Sequence, residues 1–150
     1  MASELKFEET VTYRLARVTT AYRNALERHL AGAGLHGGQV FVLIELWSQD
    51  GLRQVDIASR LNLSAPTINK ILKGLSEINL IKTSRERDDA RSTRIFLTEK
   101  GQKIRSDVAA AWVELESEYL SGLTETERLI LPDLLAKLHS AYTGQTNEDE

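Results

Sequence analysis

The sequence predicts a mainly α-helical chain that contains one small β-hairpin. Over most of its 150 residues, apolar residues recur at steps of three and four, which is the spacing of amphipathic helices. Two short helical patterns, 53–61 and 64–78, lie mid-chain on either side of a turn. A run that alternates apolar and polar residues and is rich in arginine, 80–101, comes directly after them. A helix pair followed at once by a basic hairpin is the order of a winged helix-turn-helix, so we expect such a core with N- and C-terminal helices flanking it.

The composition is that of an ordinary globular protein. Apolar residues make up 41% and charged residues 27%, and the length favours one domain. The sequence has no run of about 18 to 20 apolar residues and no signal-peptide pattern, so we expect a cytoplasmic protein and no membrane partner. Cysteine does not occur, which excludes disulfides, thiolate metal sites and thiol-based sensing.

Charge is distributed unevenly along the chain. The net charge is −3, yet residues 53–94 carry nine Lys or Arg against five Asp or Glu, a net of +4. The remaining residues carry ten basic against seventeen acidic side chains, a net of −7. A basic middle between acidic flanks suits a module that presents one face to DNA, while a solvated, charged hairpin is the alternative.

The N-terminal part predicts two helices. The first runs over about 7–31 and ends at Gly32-Ala33-Gly34. Its apolar stripe comprises Val11, Leu15, Val18, Tyr22, Ala25, Leu26 and Leu30. The second segment, 38–48, is apolar on nearly every side and predicts a short buried helix, although a strand remains possible.

Residues 53–78 predict a helix-turn-helix. Ala58 is small enough for a close helix crossing, Asn62 tolerates positive φ in the turn, and Ile68 can anchor the second helix. Ser64 is a natural N-cap, and Pro66 falls in the first turn, where its missing N–H costs no helical hydrogen bond. The apolar residues expected to pack inside the pair are Ile57, Leu61, Leu63, Ile68, Ile71, Leu72, Leu75 and Ile78.

The outer face of the second helix is polar and partly basic. Its predicted DNA-binding residues are Ser64, Ala65, Thr67, Asn69, Lys70 and Lys73. Among them Thr67, Asn69 and Lys70 have the size and chemistry to read base edges. Any amphipathic helix has polar outer residues, but the turn pattern and the basic hairpin together favour DNA readout.

The hairpin carries the densest positive charge. Ile81 opens one predicted strand, and Ile95 begins the apolar end of the other. The arginines that crowd the connection are Arg85, Arg87, Arg91 and Arg94. Because like charges at this density repel one another, an anionic partner is expected, and DNA phosphate is the obvious one.

The C-terminal third predicts helices that need a partner. Thr98 can cap a long helix, Thr124 with Glu127 forms a capping box for another, and Pro132 is expected to kink or interrupt the latter. Their apolar residues are Ile104, Val108, Ala111, Trp112, Leu115, Tyr119, Leu123, Leu131, Leu134, Leu135, Leu138 and Tyr142. Such stripes predict burial against a second copy, although packing within one chain is the alternative.

No catalytic residue, metal site or cofactor is predicted. Residues 32–37 match a bare GxGxxG pattern, but a helix precedes them where a dinucleotide site needs a strand, so a loop is expected. His29, His36 and His139 are scattered without ligand spacing. Two other classes remain open: a winged-helix module that binds an acidic protein without reading DNA, and a non-specific architectural DNA binder, which the acidic total disfavours.

Residues 89–101 resemble the wing signature of the MarR family of bacterial transcription regulators. Asp89-Ala90-Arg91 and Arg94 match its Asp-x-Arg with a second Arg three residues on, and Leu97-Thr98-Glu99-Lys100-Gly101 matches its Leu-Thr-x-x-Gly. The resemblance covers the whole chain. The departures are Asn79 for a common Gly, Thr83 for a usual basic residue, Ser92 for a frequent Asp and His36 for a small hydroxyl residue.

The resemblance implies a single MarR-type domain over 1–150. Its DNA-binding lobe would span about 36–98, and dimerisation helices would span about 5–34 and 99–143. It further implies a homodimeric repressor on a pseudo-palindromic operator, with recognition helices in successive major grooves and wings in the flanking minor grooves. Arg91 would enter the minor groove, with Asp89 holding its guanidinium in position.

The resemblance also implies an effector. A small aromatic or phenolic anion would bind where the dimer helices meet the DNA-binding lobe and would favour one of two dimer geometries. The residues that could line this pocket are Tyr13, Arg17, His36 and Trp47. For His36, a helix-capping role is the favoured reading over a ligand contact.

Overall fold

The computed structural model describes residues 4–85 and 92–146, which form two compact units within 1–115 and 116–150. The first unit opens with a 3-10 turn, Phe7–Glu9. The elements that follow are α1 (Val11–Ala31), α2 (Gly37–Ser48), β1 (Leu52–Arg53), α3 (Gln54–Arg60), α4 (Ala65–Glu77), β2 (Ile81–Arg85), β3 (Thr93–Leu97), α5 (Glu99–Lys103), α6 (Arg105–Tyr119) and α7 (Glu125–Thr146).

The first helix begins later than predicted. The Thr10 hydroxyl accepts the backbone N–H of Tyr13 at 3.2 Å and donates to the Phe7 carbonyl at 2.6 Å, so it caps α1 and closes the preceding 3-10 turn. Only the C-terminal half of the helix enters the core, through Ala25, Leu26 and Leu30.

The second segment is a helix, so the strand alternative for 38–48 is wrong. Four of its apolar side chains are buried: Val40, Val42, Leu43 and Leu46. They lie on one half of α2, and the half-buried Phe41 and Ile44 extend the apolar surface onto the other half, which explains why its sequence lacks a clear amphipathic period.

The predicted helix-turn-helix is confirmed in its local details. Asn62 adopts φ 52° in the turn, and Ser64 Oγ accepts the N–H of Thr67 at 3.4 Å to cap α4, with Pro66 in the first turn. The residues buried between and beneath the helices are Ile57, Ile68, Leu72 and Leu75. Leu61 and Leu63 are only half-buried.

The wing is a three-stranded antiparallel sheet with the order β1-β3-β2. In the hairpin Ile81 pairs with Leu97, and β1 joins it through Leu52 opposite Ile95. Strand β1 could not be predicted from the sequence, because a two-residue strand has no periodicity. Asp50 fixes it, since its Oδ1 accepts the N–H of Leu97 at 2.9 Å.

Hydrogen bonds hold the end of α4, the end of β3 and the start of α5 together, and this region is called the junction. Asn79 ends α4 at φ 60°, and Thr98 Oγ1 accepts the N–H of Gly101 at 3.0 Å and donates to the Asn79 carbonyl at 2.6 Å. The predicted cap at Thr98 is therefore confirmed. The long helix expected after it is divided at Ile104, where α5 stops and α6 begins.

The last helix starts with the predicted capping box. Thr124 N donates to Glu127 Oε2 at 2.8 Å, and Glu127 N donates to Thr124 Oγ1 at 3.3 Å. The expected interruption at Pro132 is wrong, because α7 continues through it from Glu125 to Thr146. An exposed helix face accommodates proline here, since water can bond the carbonyl that loses its N–H donor. Over the described stretches of the chain, none of the helices combines the length and the apolar character of a membrane span.

Candidate DNA-binding interface

Helix α4 presents one polar face to solvent. Its predicted DNA-binding residues are all exposed: Ser64, Ala65, Thr67, Asn69, Lys70 and Lys73. The opposite face carries Ile68, Leu72 and Leu75, which are at most 5% exposed and fix the rotation of the helix. Within the described residues neither lysine is in an ion pair, so both cations can meet an external anion.

The first turn of α4 is internally bonded. Ser64 Oγ lies 2.9 Å from Thr67 Oγ1, in addition to capping the helix. Ser64 therefore sets the helix end, and its hydroxyl also restrains the side chain of Thr67.

A second contact reaches α4 from α3. Gln54, the first residue of α3, donates a hydrogen bond from Nε2 to Oδ1 of Asn69. Sequence reasoning missed Gln54, because the contact joins residues 15 apart and only the packing of the two helices brings them together. The only indication of Gln54 in the sequence is that a polar residue lies near the start of a predicted helix.

Two arginines lie opposite each other at the base of the wing, and each is hydrogen-bonded to another group. Arg53 and Arg94 face each other across β1 and β3, where like charges repel. Asp56 accepts both Nε and Nη2 of Arg53, at 2.8 and 3.0 Å. This hydrogen-bonded guanidinium, helped by the positive charges of Arg60 and Arg94, lowers the pKa of Asp56 against the opposing effect of burial. Arg94 Nη1 donates to the Gly51 carbonyl at 2.9 Å, which holds this predicted DNA contact against the turn.

The wing has one exposed polar strand. In β2 Lys82, Thr83, Ser84 and Arg85 are all exposed, whereas its partner β3 buries Thr93, Ile95 and Leu97. Arg85 stands at the end of the described strand, opposite Thr93. The predicted tip residues Arg87, Asp89 and Arg91 lie outside the described residues.

The four predicted effector contacts are not brought together. His36 occupies the N-cap of α2, where its backbone N–H donates to Gln39 Oε1 at 3.0 Å and its Nδ1 lies 3.5 Å from Glu27 Oε2. The indole N–H of Trp47 donates to the Gly101 carbonyl at 3.0 Å. Tyr13 and Arg17 are exposed on α1.

Two cavities flank the start of α2. The larger, about 820 Å³, lies beside α4 and includes His36, Gln39, Lys70 and Lys73 in its lining. The smaller, about 440 Å³, lies between α1 and α2 and is lined in part by Tyr22, Arg23 and Phe41. Tyr13, Arg17 and Trp47 line neither cavity. The described side chains include no group of three or more His, Cys, Asp or Glu placed to hold a metal ion.

Comparison with known proteins identifies the family. The MarR family model matches residues 36–93, which include the helix-turn-helix and the wing. The regulator MgrA of Staphylococcus aureus is 31% identical over 104 residues, which are 69% of this chain and 69% of MgrA. The chain belongs to the MarR family. Another relative, the HTH-type transcriptional regulator TtmR of Methylorubrum extorquens, is 32% identical over 130 residues, and the match spans 87% of this chain and 64% of TtmR.

Solved MarR-like structures share the fold. BpsR of Bordetella bronchiseptica, whose structure was solved to explain regulation of DNA binding by 6-hydroxynicotinic acid, superimposes with a TM-score of 0.81. The two are 21% identical, and the match covers 91% of this chain and 98% of BpsR. The MarR architecture of helices around a small antiparallel wing is therefore the architecture of this chain.

Proposed function

We propose that this MarR-family chain is a cytoplasmic, effector-responsive repressor that binds a pseudo-palindromic operator as a homodimer. It acts by binding and not by catalysis. Each protomer would place α4 in a major groove and its wing in the adjacent minor groove, with Arg87 and Arg91 at the tip of the wing and Asp89 holding Arg91.

The exposed face of α4 is the observation that carries this proposal. A helix whose apolar side is locked into a core and whose outer side offers an amide, a hydroxyl and two cations, without ion-pair partners among the described residues, has the chemistry of a recognition helix. Asn69 and Thr67 are suited to base edges, and Lys70 and Lys73 to base edges or phosphates.

Exposed apolar residues support the homodimer. In the first unit the N-terminal segment exposes Leu5, Phe7, Val11, Leu15 and Val18, each at 43% or more. In the second unit α7 exposes Leu129, Ile130, Leu134, Leu135, Leu138 and Tyr142, each at 46% or more. Clusters of this size mark interaction surfaces, and a second copy of the chain is the occupant that the MarR architecture favours.

An aromatic or phenolic anion is the effector class we propose. The relevant relative is BpsR, whose DNA binding is regulated by 6-hydroxynicotinic acid. In this chain His36 lines the larger cavity, so it is the best supported of the four predicted contacts, and Tyr13, Arg17 and Trp47 remain weaker predictions. An effector that binds two dimer geometries unequally by about 1 to 3 kcal/mol would weaken operator binding by about 5- to 150-fold.

Binding to DNA that flanks the protein's own gene tests the function. Fluorescence anisotropy would compare this flank with unrelated DNA of equal length at two salt concentrations. A preference of about 10³ or more at physiological salt is expected of a sequence-specific regulator. Equal and salt-labile binding to both DNAs would leave a remote operator or a non-specific binder, and failure to select any sequence from a randomised DNA library would then contradict the proposal. None of the relatives named above favours the alternative of a protein-binding module, because the curated ones are named transcriptional regulators.

A further inference from the structure

The hydrogen bond between Gln54 and Asn69 constrains what α4 can read. Gln54 is half-buried at the start of α3, whereas Asn69 is exposed in the middle of the outer face of α4. Because the donor is Gln54 Nε2 and the acceptor is Asn69 Oδ1, the carbonyl end of the asparagine is directed into the protein. Among the described residues Nδ2 of Asn69 has no hydrogen-bond partner.

An unrestrained asparagine can turn either end of its amide to a base. In its commonest base contact it accepts from adenine N6 and donates to adenine N7. With Oδ1 engaged by Gln54, the end left for DNA is the Nδ2 amide, which only donates. Such a donor matches guanine N7 and O6, adenine N7 and thymine O4, and it opposes the N4 amine of cytosine.

We infer that Gln54 is a specificity-determining residue that acts by positioning Asn69. It holds the asparagine so that the operator base beneath it must present an acceptor. The inference rests on the proposed function, since it concerns how that same interface selects its sequence. Gln54 need not touch the base itself, which separates its role from that of the exposed residues of α4.

The neighbouring residues are consistent with a pre-set reading surface. The hydroxyl oxygen of Thr67 lies 2.9 Å from Ser64 Oγ. Two of the base-reading side chains are therefore oriented before DNA arrives, so less side-chain entropy is lost on binding. Lys73, which has no ion-pair partner among the described residues, supplies affinity that depends little on sequence.

The test is a double-mutant cycle on DNA. An operator is first selected from a randomised DNA library with the full-length protein. Dissociation constants are then measured for the wild type, Gln54→Ala, Asn69→Ala and the double variant, against that operator and against operators with each half-site base substituted in turn. Gln102→Ala, an exposed glutamine on α5, is the matched control.

We expect Gln54→Ala to relax discrimination at the same base position as Asn69→Ala, by about 5-fold or more, with cytosine gaining most. The double variant should lose no more than Asn69→Ala alone, because Gln54 acts through Asn69. Affinity for unrelated DNA should stay unchanged, which a merely structural defect would not allow. Gln54→Glu keeps the size of the side chain but can only accept, so it should bond the Nδ2 of Asn69, present Oδ1 to the DNA and shift the preference towards bases that offer a donor.

Two results would overturn the inference. One is a Gln54→Ala or Gln54→Glu protein that keeps the wild-type preference at the position read by Asn69. The other is that Gln54→Ala and Asn69→Ala reduce base discrimination at two different positions and that these losses add in the double variant. If the wild type itself selects no sequence, the proposed function fails as well. The side-chain amide signals of Asn69 in ¹H–¹⁵N spectra of the free wild type and Gln54→Ala then report separately whether the pair forms.

Discussion

At Gly101 the carbonyl oxygen of Leu80 occupies the space that a side chain would need. A Cβ built on this glycine would lie 2.1 Å from that backbone oxygen, and 3.2 Å from Cδ2 of Leu97. The obstruction is backbone, so it cannot rotate away as a side chain could. The family-like Leu-Thr-x-x-Gly sequence therefore has a steric cause in this chain, since Thr98 and Gly101 bring α5 against the end of α4.

Gly101→Ala should lower the free energy of unfolding by about 2 to 3 kcal/mol, because the junction must open to admit the methyl group. Urea unfolding at one fixed protein concentration measures the change. Gly32→Ala is the matched control, since Gly32 has helical φ of −65° and no atom within 4 Å of the added Cβ. The control should be neutral or more stable by about 0.4 to 1 kcal/mol. Equal stability of both variants would show that the junction yields at little cost.

Residues with local causes were the most predictable from the sequence. Asn62 and Asn79 have positive φ because asparagine tolerates it where a helix ends, and Ser64 caps α4 because a hydroxyl before a helix accepts an N–H. Gln54 and the restraint on Arg94 could not be predicted in this way. Both depend on a partner far along the chain, so only the folded arrangement reveals them.

At the scale of elements, α4 separates affinity from specificity. Asn69 is restrained and suited to a base, whereas Lys73 is exposed two turns into the helix and has no ion-pair partner among the described residues. Lys73→Ala should weaken binding to the operator and to unrelated DNA by similar factors. The slope of log K against log salt should fall by about 1 for each lysine removed, or about 2 in a dimer.

Anisotropy titrations at several salt concentrations measure this slope. Lys103→Ala is the control, because Lys103 is exposed on α5 and already pairs with Glu99 at 3.0 Å. The control should leave both slope and affinity unchanged. A loss for Lys73→Ala confined to the operator would assign this lysine to base readout instead.

Elements were predictable where a hydrophobic period was long enough to read. The stripe of α4 and the capping box of α7 fall where the sequence predicts them. By contrast, β1 exists only because β3 pairs with it, and the division at Ile104 occupies a single residue inside an unbroken apolar pattern. Helix α7 continues through Pro132, against the expected interruption, because an exposed helix can accommodate a proline that a buried one could not.

At the scale of the whole molecule, the apolar surface of α7 calls for a partner. Ile130, Leu134 and Leu138 are spaced four residues apart and lie on one side of the helix, each 49–51% exposed. Isolated helices are marginal in water, so a 22-residue helix without a buried residue in its described part gains stability if this side is covered. We expect the covering surface to belong to a second copy of the chain.

Replacing Leu134 and Leu138 with Glu should convert the dimer to monomer and abolish operator binding at concentrations where the wild type saturates. Each leucine buried at the interface contributes about 1.5 to 3 kcal/mol, and a two-fold interface loses both residues from both protomers. Analytical ultracentrifugation measures the assembly state, and circular dichroism establishes that the variant stays helical. Ser140→Glu places the same charge on a different side of α7 and should remain dimeric. A wild type that sediments as a monomer yet binds its operator fully would refute the dimer. A monomeric variant that stays helical and loses only operator binding would show that two half-sites must be held at a fixed spacing.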